Sequence, residues 1–210
     1  MNISSGLRGH PDEEIVMPNI LILGANGQLA RNTTRYLLKH PEVRLTLYLR
    51  RASRLTNPDP DRVTVIEGDV LDLESLKSAM RGQNVVYANL AGPMARQAQV
   101  ITNAMHTTGV KRLIFISSMG IHGEVPGEAY RSILDPYRDS AALIEASDLD
   151  YTILRPGWFT HEDAIDYQLT QKGEPFEGRM VSLNSLSDLI VKLALTPDLH
   201  IRRSLGVSRG

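Results

Sequence analysis

The sequence of 210 residues predicts an α/β fold, a doubly wound parallel sheet with flanking helices in a single domain. Two observations predict it. Short runs of branched apolar residues, typical of strands buried on both faces, alternate with stretches in which apolar residues recur at helical spacing. The first run, Asn19–Leu23, passes through a glycine turn directly into such a helical stretch. Because crossovers between parallel strands are right-handed, the doubly wound order is the simplest arrangement of these elements.

Six strands and five helices are predicted in alternation. Gly109 closes the third helix, and Pro156 breaks the sixth strand. Ser185 and Asp188 are expected to form a capping box for the last helix. The glycine- and proline-rich stretch 119–136 is predicted to be a loop that covers a site. In chain order, the strands are predicted at 19–23, 44–49, 63–66, 85–90, 113–116 and 151–154, and the helices at 28–39, 73–80, 93–108, 137–146 and 185–195.

The composition excludes several classes of function. With 23 basic and 24 acidic residues, the net charge offers no attraction to nucleic acid or to an anionic membrane. The chain has no cysteine, which excludes disulfides, cysteine nucleophiles and thiolate metal sites. Its six histidines do not recur at metal-ligand spacing, and we expect no metal ion.

Residues 1–17 are predicted to be a flexible extension before a folded domain at 18–210, because they are polar and lack periodicity. They also lack the apolar core of a signal peptide. No apolar run approaches the ~20 residues needed to span a bilayer. We therefore expect a soluble, cytoplasmic protein.

The turn after the first strand has the composition of a phosphate-binding loop. Gly24 allows the chain to turn sharply off the strand, and Gly27 leaves space where backbone approaches a phosphate. Ala30 keeps the following helix close to the sheet. The free N–H groups at the helix N-terminus and its dipole favour an anion by about 0.3–1 kcal/mol. The loop is therefore predicted to bind the pyrophosphate of a dinucleotide. The alternative is an ordinary tight turn between packed elements.

Basic side chains follow the second strand, where proteins that bind NAD place a carboxylate for the ribose hydroxyls. Arg50, Arg51 and Arg54 suit a 2′-phosphate instead, because guanidinium groups bind phosphate in bidentate fashion. One charge-assisted hydrogen bond of ~1.5–3 kcal/mol would favour NADP(H) over NAD(H) by about ten- to a hundredfold. We therefore expect NADP(H) as the coenzyme, with NAD(H) as the alternative. The alternative interpretation of the three arginines is a basic loop exposed to solvent that binds no coenzyme.

Ligands of such sheets bind at the carboxyl ends of the strands. The residues just after each strand are therefore the candidates for ligand contacts. Asp69 is placed to accept from the adenine amine, with Val70 beside the ring, and a turn-stabilising aspartate fits the pattern equally well. Trp158 is expected to form a wall of the substrate cleft. The residues expected on this basis to contact the dinucleotide are Gly24, Asn26, Gly27, Gln28, Leu29, Arg50, Arg51, Asp69, Val70, Asn89, Leu90, Ala91 and Ser117.

Four segments, 22–29, 67–70, 115–118 and 149–157, resemble the atypical short-chain dehydrogenase/reductases. The nearest branches are the NmrA-like proteins and the small NADPH-dependent flavin or biliverdin reductases. The resemblance extends over nearly everything from Met17 onward. It implies a Rossmann fold and an NADP(H) coenzyme, and says much less about the substrate.

The resemblance also implies roles for particular residues. Pro156, Gly157 and Trp158 would contact the nicotinamide, Arg50 would bind the 2′-phosphate, and Ser118 would lie near the reacting carbon. Classical members pair that serine with a Tyr-x-x-x-Lys motif, in which the tyrosine gives a proton and the lysine lowers its pKa.

This chain departs from the family at that motif. The tyrosine and lysine positions fall at Ile133 and Tyr137, so the standard proton relay is absent. Candidate helpers are Ser118, His122, Tyr137 and His161, of which Ser118 and Tyr137 are the candidate catalytic residues. Each of these residues also has an explanation without a catalytic role. The serine hydroxyl would be hydrogen-bonded at the strand end, the histidines would be solvated loop residues, and the tyrosine would be part of the core.

Two functions are compatible with these residues. The first is an NADPH-dependent oxidoreductase that passes hydride to a small aromatic acceptor of quinone or flavin type, because such an acceptor needs little help with protonation. The second is a non-catalytic sensor that reports the redox state of NADP(H) to a protein partner through the loop 119–136. A sugar-nucleotide epimerase is disfavoured by the missing motif and by the short segment after Pro156. A homodimer or a regulatory protein partner is compatible with the sequence.

Overall fold

An eight-stranded sheet forms the centre of the structure, a computed structural model that describes residues 18–210. Helices lie on both faces of the sheet, and short 3₁₀ turns occur at Ala52–Arg54 and Ser132–Leu134. In chain order the elements are β1 (Asn19–Leu23), α1 (Gln28–Leu37), β2 (Arg44–Leu49), β3 (Val63–Glu67), α2 (Leu73–Met80), β4 (Val85–Ala88), α3 (Met94–Thr108), β5 (Arg112–Ile116), α4 (Asp135–Glu145), β6 (Asp150–Pro156), β7 (Trp158–Thr160), β8 (Gln168–Gln171), β9 (Met180–Ser182), α5 (Leu183–Leu195) and β10 (Arg203–Ser208).

The strand order is β3-β2-β1-β4-β5-β6-β10-β8. Every neighbouring pair is parallel except β10 and β8, which are antiparallel. β7 and β9 form a separate parallel pair. The direction of strand succession reverses between β1 and β4. At such a switch point, open α/β sheets bind their ligands beyond the carboxyl ends of the strands.

The central strand β1 is buried on both faces. Ile20 and Ile22 pack into the cluster beneath α1 and α5, whereas Leu21 and Leu23 pack into the cluster beneath α2, α3 and α4. All of them are 0% exposed. A parallel sheet covered on both faces needs apolar side chains in both directions, which explains the unbroken apolar run in the sequence.

The predicted fold class is confirmed, and all predicted strands and helices are present, several of them with shifted ends. β4 ends at Ala88, so Asn89 and Leu90 lie beyond the strand. α4 begins at Asp135, because Pro136 fits the first turn of a helix. β6 includes Pro156 rather than ending before it, since the last residue of a strand need only accept a hydrogen bond. The short strands β7 to β10 were not predicted.

The predicted capping box at Ser185 and Asp188 is wrong. α5 begins at Leu183, and the Ser182 hydroxyl accepts from the Ser185 N–H at 2.9 Å. Ser185 lies inside the helix, where its hydroxyl donates to the Asp166 carbonyl at 3.0 Å. Ser182 is therefore the N-cap.

The predicted flexible extension, residues 1–17, lies outside the described residues. Within residues 18–210, no helix combines the length and apolarity needed to cross a membrane. In the same part of the chain, no three acidic or histidine side chains are grouped so that they could hold a metal ion.

Ser182→Ala is expected to lower the free energy of unfolding by about 1 kcal/mol, because the first turn of α5 loses its cap. Asp188→Ala should cost less, since Asp188 only pairs with Tyr167 and Lys192 near the surface. Urea unfolding followed by circular dichroism measures both differences. A larger loss for Asp188→Ala than for Ser182→Ala would contradict the cap assignment.

Candidate functional site

The tightest contact at the switch point lies between Gly24 and Asn89. Gly24 follows β1 with a φ of +75°, a conformation that L side chains rarely adopt. A Cβ at this position would lie 2.2 Å from the Asn89 carbonyl oxygen. Gly27 is restricted in a similar way, because its Cβ would lie 2.6 Å from Asn89 Nδ2. The loop between β1 and α1 therefore needs both glycines to pass against the residue that follows β4.

The first turn of α1 is open to an anion. Gly27 is the N-cap and has no side chain with which to accept from the first N–H groups, and no acidic residue lies in that turn. The N–H groups of Gln28, Leu29 and Ala30 have no acceptor within the helix. The Leu29 side chain is buried in the core, so this residue offers only its backbone. Free N–H donors and the positive end of the helix dipole therefore meet at the switch point.

A crevice of about 570 Å³ runs along the carboxyl ends of β1 to β4. This β1–β4 crevice also includes Tyr48, Leu49 and Gly68, which directly precede the predicted residues Arg50 and Asp69, and Gln97 from α3. Arg54 lies at its edge. The residues that the sequence predicted for the dinucleotide and that line the crevice are Gly24, Asn26, Gly27, Arg50, Arg51, Asp69, Val70, Asn89, Leu90 and Ala91.

Tyr48 fixes the turn after β3. Its hydroxyl donates to the Asp69 carbonyl at 3.0 Å, and a Cβ on Gly68 would lie 2.2 Å from the hydroxyl oxygen. Burial raises the pKa of Tyr48, with smaller contributions from Asp72 and Asp69, so the hydroxyl stays protonated. One carboxylate oxygen of Asp69 accepts from the Leu71 N–H at 2.9 Å. Asp69 therefore has the turn-stabilising role that the sequence left open, whether or not it also binds a ligand.

Three guanidinium groups lie at the β2 end of the crevice. Arg50, Arg51 and Arg54 are exposed, and within residues 18–210 none of their side chains donates a hydrogen bond or forms an ion pair. Nearby, the Glu67 carboxylate accepts from the Ala52 N–H at 2.8 Å and holds the turn that carries them. The guanidinium groups are therefore available to a phosphate on a ligand.

A second pocket, of about 230 Å³, lies beyond the carboxyl ends of β5 and β6. This β5–β6 pocket brings together both candidate catalytic residues, Ser118 and Tyr137, with Trp158. The Ser118 hydroxyl donates to the Met119 carbonyl at 3.1 Å. The rest of the lining comes from the stretch 119–136, which the sequence predicts to be a loop that covers a site, and consists of Met119, Gly120, Gly123, Val125, Glu128, Ala129, Tyr130, Arg131, Ile133 and Leu134.

The mouth of the β5–β6 pocket is apolar and open to solvent. Ile133 is 67% exposed, Trp158 65% and Tyr130 40%. Exposed large apolar side chains that cluster at a concave site are typical of ligand or protein binding.

Three other residues predicted to contact the coenzyme, Ser117, Pro156 and Gly157, are outside the lining that residues 18–210 give the crevice and the pocket. Ser117 is buried, and its hydroxyl donates to the Tyr137 carbonyl at 3.4 Å. Gly157 has no room for a side chain, since its Cβ would lie 2.5 Å from a neighbouring backbone carbonyl oxygen. Pro156 and Gly157 therefore fix the position of Trp158 and are not part of the lining formed by residues 18–210.

Neither of the two histidine helpers is part of the lining that residues 18–210 give the β5–β6 pocket. His161 and Gln28 hydrogen-bond to each other in a groove of about 680 Å³ beside α1. His122 is outside the lining that the described residues give these cavities. Burial lowers the pKa of His122, as do the charges of Arg155 and Lys172, so its ring is neutral near pH 7. Neither histidine supplies the pocket with a cationic proton donor.

The glycine loop and a basic corner, formed by Arg50, Arg51 and Arg54, both open onto the crevice at the switch point of a doubly wound sheet. This arrangement defines a dinucleotide-binding protein. A family model described as NAD(P)H-binding matches residues 24–197. The chain belongs to this NAD(P)H-binding family.

Solved structures agree with this assignment. A Rossmann-fold NAD(P)-binding family protein from Shigella flexneri is 44% identical, with a TM-score of 0.83 over 92% of this chain and 94% of that one. A short-chain dehydrogenase/reductase from Veillonella parvula in complex with NADP is 30% identical, with a TM-score of 0.83 over 91% and 94% of the two chains. The resemblance to short-chain dehydrogenase/reductases is thereby confirmed.

Curated relatives are more distant. Quinone oxidoreductase 2 of Escherichia coli (strain K12) is 26% identical over 145 residues, which are 67% of this chain and 49% of that protein. The chain spans about half the length of the curated relatives it matches.

Gly24→Ala is expected to abolish NADPH binding, because the added Cβ meets a backbone oxygen that cannot move without shifting β4. Gly82→Ala is a matched control, since Gly82 has a φ of +76° but nothing within 4 Å of its Cβ. We expect the control to lose about 1–2 kcal/mol of stability from backbone strain alone and to bind NADPH normally. Calorimetric titration and thermal unfolding measure both effects. Equal stability and equal NADPH affinity of the two variants would refute the role of the Gly24–Asn89 contact.

Proposed function

We propose that the protein is an oxidoreductase that uses NADPH to reduce a small aromatic acceptor, of quinone or flavin type, without a Tyr-x-x-x-Lys relay. The observation that carries the proposal is the position of the β1–β4 crevice and the β5–β6 pocket along the same edge of one sheet. A coenzyme held in the first would have an acceptor site beside it in the second.

The crevice fits a dinucleotide by its chemistry. The first N–H groups of α1 would bind the pyrophosphate, since Gly24 and Gly27 keep side chains away from them. Asp69 and Val70 would lie beside the adenine, and the segment 89–91 would pass beneath the coenzyme. When bound, the reduced coenzyme supplies the hydride.

The basic corner supports NADPH rather than NADH. Arg50, Arg51 and Arg54 offer donors to a 2′-phosphate, and the Glu67 carboxylate beside this corner already accepts from Ala52 N–H. A ribose-binding carboxylate at the end of β2 would favour NADH, and that position is Arg50.

The β5–β6 pocket supports a small planar acceptor. Its volume of about 230 Å³ is below the ~300–1,000 Å³ typical of sites for drug-sized ligands. Met119, Leu134 and Trp158 would contact the faces of a ring, and the Ser118 and Tyr137 hydroxyls would hydrogen-bond to its oxygens. A relative at 26% identity is named as a quinone oxidoreductase, which agrees with this acceptor class.

The lining supports chemistry without a strong proton donor. It contains Tyr130 and Tyr137 but, within residues 18–210, no lysine to lower a tyrosine pKa. The Tyr130 hydroxyl donates to Asp135 at 2.7 Å, and this hydrogen bond raises the pKa of Tyr130. Acceptors that water can protonate after hydride transfer are therefore favoured.

The proposal is tested by following NADPH absorbance with a panel of quinones and FMN. Acceptor-dependent oxidation supports an enzyme. NADPH binding without oxidation across the panel would instead favour the second candidate, a non-catalytic NADP(H) sensor. The exposed rim of Tyr130, Ile133 and Trp158 is the observation that favours this candidate, because such rims also bind proteins.

Arg50→Glu is expected to weaken NADPH binding by about 10- to 100-fold and to leave NADH binding nearly unchanged, because only the 2′-phosphate loses a charged donor. Arg81→Glu makes the same charge change at the exposed end of α2, outside the crevice lining, and should alter neither affinity. Titration of each variant with both coenzymes gives the comparison. An unchanged preference in Arg50→Glu would refute the assignment.

Ser118→Ala and Tyr137→Phe are each expected to lower kcat by less than about tenfold, because neither hydroxyl acts as an essential general acid. Loss of a true general acid would lower kcat by about 10²–10⁴-fold. Steady-state kinetics with a quinone acceptor measures the effect. A loss above about a hundredfold for Tyr137→Phe would show that a proton relay operates despite the missing lysine.

The sequence also predicts a cytoplasmic protein that binds neither nucleic acid nor membrane, and it is compatible with a homodimer or a regulatory protein partner. These remain predictions.

A further inference from the structure

A buried ion pair joins β6 to the loop on one side of the β5–β6 pocket. Arg155, the next-to-last residue of β6, pairs with Glu124, and their side chains are 0% and 5% exposed. Glu124 lies in the segment 119–125, which we call the pocket loop. The loop contributes Met119, Gly120, Gly123 and Val125 to the pocket lining.

Glu124 also holds the pocket loop in its turn. Its carboxylate accepts from the Gly120 N–H at 3.1 Å and from the His122 N–H at 2.8 Å. These bonds close a turn in which Gly120 and Gly123 have φ values of +85° and +68°. The Glu124 carbonyl accepts from the Phe176 N–H at 2.8 Å, which attaches a third segment. One residue thus sets the shape of the loop and its position over the sheet.

Arg155 connects that loop to the end of β6, the strand that leads to Trp158. Its guanidinium is fixed on the sheet by a contact of 3.4 Å to the Ser204 carbonyl of β10. The next residue, Pro156, accepts from the Met119 N–H at 3.2 Å, and Trp158 follows two residues later. The start of the pocket loop and the Trp158 wall are therefore both attached to the end of β6.

Stability alone does not account for this pair. Two charges taken out of water lose hydration that their attraction rarely repays, and an apolar pair of similar size often serves a fold as well. Burial opposes ionisation of Glu124, but its backbone hydrogen bonds and the Arg155 charge outweigh burial and lower its pKa. The pair is therefore charged near neutral pH, and its directional hydrogen bonds define one loop geometry.

We propose that Glu124 and Arg155 are positioning residues that hold the pocket loop on the end of β6, next to which Trp158 follows, and thereby set the affinity of the β5–β6 pocket for its acceptor. The inference rests on the proposed function, because it takes this pocket as the acceptor site. Coenzyme binding should not depend on the pair, since neither residue lines the β1–β4 crevice.

The test uses the double variant Glu124→Gln/Arg155→Met. It removes both charges at similar side-chain volume and keeps an amide oxygen for the backbone N–H groups. Glu145→Gln is the matched control, because Glu145 pairs with Lys172 at the surface and lies outside the pocket lining. Trp158 is the only tryptophan in the chain, so quenching of its fluorescence by 1,4-naphthoquinone gives a Kd without turnover.

The folded double variant is expected to bind NADPH like the wild type. Its Kd and KM for naphthoquinone should rise by about tenfold or more, whereas kcat should change by less than about threefold. The Gly120 and His122 amides, which bond to Glu124, should exchange their hydrogens faster. The Glu145→Gln control should match the wild type. An unchanged naphthoquinone Kd in the double variant, or an equal rise in the control, would overturn the inference.

The proposed function and the positioning role fail in different ways. A wild type that binds naphthoquinone but never oxidises NADPH refutes the oxidoreductase, and the Kd ratio still decides the positioning role. If the wild type binds no quinone, the assignment of the pocket as the acceptor site is refuted. Hydrogen exchange at the Gly120 and His122 amides, together with the fluorescence emission of Trp158, then decides whether the ion pair shapes the pocket loop. Should the double variant not fold, Glu124→Gln alone is measured in the same way, with the same outcomes.

Discussion

The backbone contact between Gly24 and Asn89 is the constraint on which the site depends. Three neighbouring strands converge there: the Gly24 N–H donates to the Tyr48 carbonyl at 3.0 Å, and the Asn89 N–H donates to the Leu23 carbonyl at 3.0 Å. A side chain at Gly24 would push the chain after β4 away from β1. The strand order reverses at this point, so the crevice lies beside the loop between β1 and α1. Because Gly24 has no Cβ, this loop can pass close to Asn89, and the N-terminus of α1 is open to the crevice.

The two cavities are held by different kinds of interaction. The β1–β4 crevice is built from strand ends, glycines and backbone hydrogen bonds, so its shape follows from the sheet itself. The β5–β6 pocket is built on the pocket loop, whose position depends on side-chain pairing between Glu124 and Arg155. In a doubly wound fold, the half that binds the dinucleotide is therefore fixed by the architecture. The half that holds the β5–β6 pocket, the proposed acceptor site, is free to differ through a loop and a few side chains.

Signals that are local in sequence predicted the first half well. The apolar run of β1, the glycines after it and Arg50 after β2 each act within a few residues, and the crevice brings them together as expected. Signals that act over distance were missed. Nothing local links Glu124 to Arg155. The strands β7 to β9 have only three or four residues each, and β10, with the sequence RSLGVS, lacks the unbroken apolar run of β1. The Ser182 cap was misplaced because serines recur at 182, 185 and 187, and only the observed helix start distinguishes them.

The groups around the β5–β6 pocket also constrain the chemistry that it supports. Burial lowers the pKa of His122, and its ring lies outside the lining formed by residues 18–210. The hydrogen bond to Asp135 raises the pKa of Tyr130, which makes this hydroxyl a weaker acid. A carbonyl at which charge develops on oxygen needs a donor that gives up its proton readily. His122 is neutral and carries no acidic proton, and Tyr130 is a weaker acid than a free tyrosine. An extended aromatic acceptor spreads that charge over its own rings, so it depends less on a proton donor in the pocket than an isolated ketone does.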